Sequence, residues 1–313
     1  MTKCEFGEKE YENRLNFQLG NHNSWTPDPY FEKLVGFDIA FLSYNYKFWK
    51  LWQQKRKNRQ GIHLDWEIWE TIKEEWAGRE FPPFKFNLFV QCKVPQHINR
   101  KNGKEYQNWN QPYFRYDLTD HQQDALVKLE KEVTSDGIVV YACPSFYQYE
   151  GLYSFWFSKL IKNSNFVQPR RLKGHTRYTF IQGGKNGKAC SDVKNIEGIN
   201  ILSEIEKLLT KQGDAENNIR FINKTAQKVR NVIENLESIE RKKYFILEET
   251  IGLPDHQFGR SFMTTLIFSY FVNATWRIGY TFDEEDTSRY NEEKNGRING
   301  LIENMREQNI PET

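Results

Sequence analysis

Three side chains have the types and spacing for metal-assisted hydrolysis: Asp38, Gln91 and Lys93. Asp38 stands inside Leu34-Val35-Gly36-Phe37-Asp38-Ile39-Ala40-Phe41-Leu42, where it is the one carboxylate in an otherwise apolar run. Buried without a partner it would cost several kcal/mol, so it should face a metal, a base or an open cleft. Gln91 and Lys93 close the run Phe86-Asn87-Leu88-Phe89-Val90-Gln91-Cys92-Lys93. Residues two apart on a strand share a face. Phe86, Leu88, Val90 and Cys92 therefore form an apolar row, and Asn87, Phe89, Gln91 and Lys93 a second row that ends in an amide and an amine. A carboxylate, an amide oxygen and the backbone carbonyl of Cys92 are hard ligands suited to Mg²⁺ or Mn²⁺. A lysine beside them can orient or help deprotonate a water and can stabilise charge building on a phosphate. A neutral Gln leaves such a site short of negative charge, so a further acid is expected: Glu12 first, then Glu8 and Glu32. The same residues also suit plainer roles, Gln91 and Lys93 on a solvent-facing edge strand and Asp38 as a buried hydrogen-bonding acid.

The elements that must position these groups follow from periodicity. Tyr11, Leu15 and Leu19 at i, i+4 and i+8, with Glu8 and Glu12 beside them, predict a helix over 5–20 that ends at Gly20. Residues 46–80 change character: Lys47, Lys50, Lys55, Arg56, Lys57 and Arg59 precede Asp65, Glu67, Glu70, Glu74, Glu75 and Glu80, with tryptophans between the acids. Two helices of opposite charge, inserted at about 44–82, are the economical reading. A polar loop is expected over 95–112, a helix over 121–133 with Ala125, Leu126, Leu129 and Val133 as its stripe, and a buried strand over 138–144. An aromatic helix over 151–162 and a short strand at 178–181 follow, and Gly183–Lys188 is a hairpin turn, lacking the spacing of a phosphate loop. Beyond 197 the chain is expected to be helical. One long helix is predicted over 215–247, with Ile219, Ile222, Ala226, Val229, Ile233, Leu236 and Ile239 in register, and a further helix over 261–277. A strand joined to the next strand through a helix implies a parallel or mixed sheet, with Asp38 and Gln91/Lys93 on neighbouring strands.

This order and these residues resemble the PD-(D/E)xK nuclease superfamily, in its Asp…Gln-x-Lys variant, over residues 5–145. Gly36-Phe37-Asp38-Ile39 is similar to the metal-aspartate strand, and Phe89-Val90-Gln91-Cys92-Lys93 to the second motif. The resemblance implies an α/β, restriction-endonuclease-like mixed sheet flanked by helices, a nuclease domain over 1–195, and a helical region over 196–313 for sensing, oligomerisation or partner docking. It implies that Asp38 binds Mg²⁺ or Mn²⁺, that Gln91 takes the place usually held by Glu or Asp, and that Lys93 is the catalytic lysine. Nuclease modules of bacterial anti-phage systems look like this, so the implied activity is endonucleolytic, on double-stranded DNA in preference to RNA. The alternative is a catalytically weak, nuclease-derived subunit that binds nucleic acid or protein.

Composition narrows the field. Among 313 residues, 23 Phe, 16 Tyr and 9 Trp provide for a sizeable core, and a net charge of +2 excludes a chain-wide polybasic nucleic-acid binder. Any grip on phosphate must be local, and two segments qualify: Lys55, Arg56, Lys57 and Arg59, then Arg170, Arg171, Lys173 and Arg177. Four widely spaced cysteines with no CxxC pair argue against a zinc ribbon, and no two of the six histidines stand at ligand spacing. The first residues lack the apolar stretch of a signal peptide and no run reaches membrane-spanning length, so a cytoplasmic protein without membrane contact is expected.

Overall fold

In the computed structural model, residues 2–20, 24–25, 84–155, 159–184, 186–190, 193–210, 218–253 and 257–280 are described. They form an α/β fold of seven helices and two five-stranded sheets. The first sheet is mixed, in the order β1 (Ser24–Trp25), β10 (Thr275–Tyr280), β2 (Phe84–Cys92), β5 (Gly137–Pro144), β6 (Ser164–Val167). β2 runs parallel to β5, with Asn87 opposite Gly137 and Cys92 opposite Ala142, as expected of a strand–helix–strand unit. The connecting helix, α2 (Asp120–Val133), buries Ala125, Leu126, Leu129 and Val133, the stripe its spacing predicts.

β2 separates two cores. Phe86, Leu88, Val90 and Cys92 face α1 (Glu8–Gly20), which contributes Tyr11, Leu15 and Leu19, and α4 (Ile201–Leu209), which contributes Ile201 and Ile205. Phe89 faces the opposite side, together with α2, α5 (Asn218–Glu234), α7 (Gln257–Phe271) and a second sheet. The two rows of side chains on β2 thus go to separate cores, as strand alternation requires.

Several expectations are corrected. The second sheet, antiparallel in the order β3 (Gln96–Ile98), β4 (Tyr113–Asp117), β7 (Arg177–Phe180), β8 (Gly187–Ala189), β9 (Lys194–Ile196), was not anticipated. Its strands are three to five residues long and carry polar side chains, too short for a readable period. β3 lies in what reads as a polar loop, whereas β7 and β8 do pair antiparallel, with Gly183 and Gly184 between them and Gly187 and Lys188 already in β8. The aromatic helix is the short α3 (Tyr149–Ser154). The long helix over 215–247 is two helices, α5 and α6 (Ser238–Ile251). Its predicted stripe is buried from Ile222 to Leu236, but Ile219, in the first turn of α5, is exposed, and so is Ile239, because the turn after Glu234 resets the register.

The segment 261–277 changes from helix to strand: α7 ends at Phe271, Asn273 takes a left-handed φ of 52°, and β10 begins at Thr275. This bears on domain organisation, since β10 inserts into the first sheet and α5 and α7 share its core. The expected boundary at 195/196 does not separate two cores. It also bears on Asp38. Both edges of β2 are taken, one by β5 and the other by β10. Asp38 itself, Glu32, the charged insertion with Lys55, Arg56, Lys57 and Arg59, and the polar tail lie outside the described residues.

β10 is fastened from both sides. Opposite it, the Phe86 ring lies in the space over Gly279 that a methyl group would need. On the helical face, the Trp276 indole N–H donates to Asn87 Oδ1 at 2.9 Å, and Asn87 Nδ2 donates to Thr225 Oγ1 of α5 at 3.0 Å. Asn87 is fully buried, so its amide ties β2, β10 and α5 at one point. Asn87→Ala should strand the indole N–H and open a cavity, costing about 2–4 kcal/mol in urea unfolding, whereas substitution of an exposed residue such as Lys131 should change the midpoint little.

Candidate functional site

α1 is locked to β10 by a ladder of polar contacts. Asn273 Nδ2 donates to Glu8 Oε1 at 2.7 Å, the Thr275 hydroxyl donates to Glu12 Oε1, and Arg277 Nη1 donates to Asn16, to its carbonyl at 3.0 Å and its side-chain oxygen at 3.2 Å. The steps match because four residues of helix advance about 6 Å and two residues of strand about 6.7 Å. The left-handed Asn273, a conformation Asn tolerates better than most residues, starts the ladder just before the strand begins.

Glu8 stands one helical turn beyond Glu12, toward the carboxyl end of β2, where Lys93 follows Cys92. The Lys93 amide donates to the Ala142 carbonyl at 2.8 Å and so extends the pairing with β5 by one step. Glu8 and Lys93 are both half-buried, and each acts on the other's charge. Burial pushes the Glu8 carboxyl above the ordinary range, with the Lys93 ammonium the largest opposing influence. Burial likewise holds the Lys93 amine below its ordinary value, with Glu8 the largest opposing charge. Cys92, next to Lys93 in the chain and buried, is pushed far up by burial and by the charges of Glu12 and Glu8, so it is a neutral thiol and no nucleophile. Glu12, almost fully buried, also pairs with Lys9 at 3.2 Å.

Gln91 points to the other core, as Phe89 does. Its Nε2 donates to the Val272 carbonyl at 2.8 Å and to Gln122 Oε1 of α2 at 2.9 Å, while its own Oε1 is buried without a hydrogen-bond partner. Val272 adjoins Asn273, so Gln91, Asn273, Glu8 and Lys93 are linked around the end of β2. Glu12 is reached from the α1 side, through Thr275, which pairs with Val90. The acid whose charge bears on Lys93 is therefore Glu8, the second choice from sequence, rather than Glu12. Asn273 and Thr275, which orient the two carboxylates, were missed because the segment reads as helix. The signal was Val272-Asn273-Ala274, an Asn at a helix end ahead of a β-prone run.

The basic segment at 170–177 does not join this site. β6 runs antiparallel to β5, with Ser164 opposite Pro144 and Val167 opposite Tyr141, so the chain entering the turn Pro169–Leu172 heads away from the Lys93 end. Arg170 pairs with Glu130 at 2.9 Å and Arg171 with Glu197 at 3.4 Å. Arg177 is held between Glu105 at 2.9 Å and Asp117 at 2.7 Å. Three of the four predicted phosphate contacts are thus paired with acids of the same chain, and Lys173 is exposed.

Hard oxygen donors suited to Mg²⁺ or Mn²⁺ are present on the α1 side in Glu8 and Glu12, whereas Gln91 Oε1 is buried on the other face of β2 and does not join them. Among the described residues no three His, Cys, Asp or Glu side chains cluster as a metal site. Mg²⁺ commonly takes one or two carboxylates and keeps several waters, so this donor set is chemically compatible with it. Among the described residues no helix is long and apolar enough to cross a membrane. Compared with family models, curated proteins and solved structures, the chain matches none.

The raised proton affinity of Glu8 predicts a sign for pH dependence. A carboxyl whose folded pKa lies above its unfolded value contributes stability that is complete below the unfolded pKa and is lost as pH rises through the folded one. The stability of the wild type relative to Glu8→Gln should therefore be greatest near pH 4 and fall as pH rises from about 4.3 toward 7, measured by denaturant unfolding at each pH. A difference that grows with pH would contradict the placement of Glu8.

Proposed function

We propose that this chain is a metal-dependent endonuclease hydrolysing nucleic-acid phosphodiester bonds, with its chemistry at the carboxyl end of β2. The observation that carries this reading is that the half-buried Lys93 lies within electrostatic reach of the half-buried Glu8 where the parallel pair β2 and β5 ends. Desolvated lysine–carboxylate pairs in such places are functional-site candidates on physical grounds, and the carboxyl ends of parallel strands are common ligand positions.

The roles follow from the chemistry of each group. Glu8 and Glu12 are the described carboxylates available to hold Mg²⁺ or Mn²⁺, and the sequence resemblance adds Asp38 to them. Asn273 and Thr275 hold the two acids in place. Gln91 is fixed through its amide nitrogen on the other face of β2, away from the two carboxylates, so its part here is to hold the end of the strand against Val272 and α2. When bound, the metal would polarise a phosphoryl oxygen and lower the pKa of a water. Lys93, with its amine depressed by burial, can neutralise charge on the phosphate as an ammonium and can accept a proton from the attacking water as an amine. Double-stranded DNA is the favoured substrate on the resemblance alone, as is a setting in bacterial anti-phage defence. Four free cysteines suit a reducing cytoplasm.

The test is cleavage of plasmid, linear DNA and RNA by the purified chain with Mg²⁺ or Mn²⁺, alone and with the products of neighbouring genes. Lys93→Ala and Glu8→Gln should each lower the rate by about 10²-fold or more, with unfolding still cooperative, as expected when a positioned proton-transfer or charge-stabilising group is removed. Activity should fall on acidification, since protonating Glu8 removes a carboxylate from the proposed metal site. Nucleic-acid binding without cleavage, unchanged by Lys93→Ala, would replace the enzyme with a nuclease-derived binding subunit.

A further inference from the structure

α6 (Ser238–Ile251) presents two unlike faces. At about 100° per residue, Tyr244, Leu247 and Ile251 fall on one side. Tyr244 is fully buried there, its ring meeting Phe268 and Phe271 of α7, and Leu247 and Ile251 pack against the same core. Ile239, Lys242, Phe245, Ile246 and Glu249 fall on the other. Ile239 is 65% exposed, Ile246 64% and Phe245 47%, an apolar concentration unusual for a single exposed helix face. Lys242 and Glu249 are exposed in the same stripe and make no ion pair among the described residues.

The order of charges along this stripe selects its occupant. The basic residue lies toward the amino end and the acidic one toward the carboxyl end, with Phe245 and Ile246 between them. A two-fold axis passing between Phe245 and Ile246 pairs each position i with position 491 − i of an antiparallel copy. Phe245 then meets Ile246 of the second copy, Lys242 meets Glu249, and both contacts occur twice, as an isologous interface requires. A parallel arrangement would set Lys242 against Lys242 and Glu249 against Glu249. We propose that this face is a self-complementary docking surface for a second copy of the chain, forming an antiparallel α6–α6 pair. The inference is independent of the nuclease reading.

A fourteen-residue helix is about 21 Å long, so one such pair buries less than a standard interface of roughly 1,200–2,000 Å². A reversible dimer with a dissociation constant of about 10–100 μM is the expected result. Sedimentation equilibrium of the full chain, from about 1 to 500 μM, tests it. Ile246→Glu should weaken dimerisation by about tenfold or more, since each dimer carries the change twice. Lys242→Glu and Glu249→Lys should each weaken it, and the double variant Lys242→Glu/Glu249→Lys should restore it. The exposure of all three positions keeps folding out of the comparison, which circular dichroism of each variant would verify. A chain that stays monomeric throughout, a dimer indifferent to Ile246→Glu, or a double variant no better than the singles would each overturn the proposal.

Discussion

The register between α1 and β10 is the constraint on which the rest depends. Asn273, Thr275 and Arg277 meet Glu8, Glu12 and Asn16 because a helix and a strand can advance at nearly equal steps when taken four and two residues at a time. Arg277 is almost fully buried, and a charge in that position is tolerable only if its donors are satisfied. Moving α1 by one residue would break all three contacts and leave buried polar groups without partners. The ladder therefore fixes the rotation and height of α1, and with them the places of both carboxylates.

The same ladder explains how the carboxyl end of β2 becomes an electrostatically tense place. Glu8 is drawn over the end of the sheet by Asn273 and partly desolvated there, close enough to Lys93 that each opposes the other's cost of burial. Structure alone would favour an apolar pair at such a position, since a half-buried pair of charges adds little net stability. The geometry also gives Glu12 a structural duty, as acceptor of the Thr275 hydroxyl and partner of Lys9. Glu8 and Lys93 are less fully explained by packing, which is why the functional weight falls on them.

Much of the fold was legible because its signals are local. The stripes of α1 and α2 and the two-sided apolar run of β5 each lie within one segment, and each formed as its spacing predicts. What failed to show was non-local or too short. The strands of the second sheet have three to five residues, and a turn of three residues divided a helical pattern that looked continuous through Leu236. β10 followed a helix-like apolar run and became a strand because β2 offered it an open edge and Asn273 could take a left-handed turn.

By itself, the sequence determined that Gln91 and Lys93 stand at the end of a buried strand, that an acidic pair lies on one face of the first helix, and that the strands 84–92 and 137–144 belong to a parallel or mixed sheet. Those follow from periods of 2 and 3.6 acting over short distances. Only the tertiary structure decided which acid's charge bears on Lys93. It chose Glu8 over Glu12 because β10, supplied from the far end of the chain, holds α1 at a height where Glu8 reaches the end of β2. It also turned Gln91 toward Val272 and Gln122, a direction set by the helices that cover that face. Pairing partners far apart in the chain leave no trace in local spacing, and here they decided the surroundings of Gln91 and Lys93.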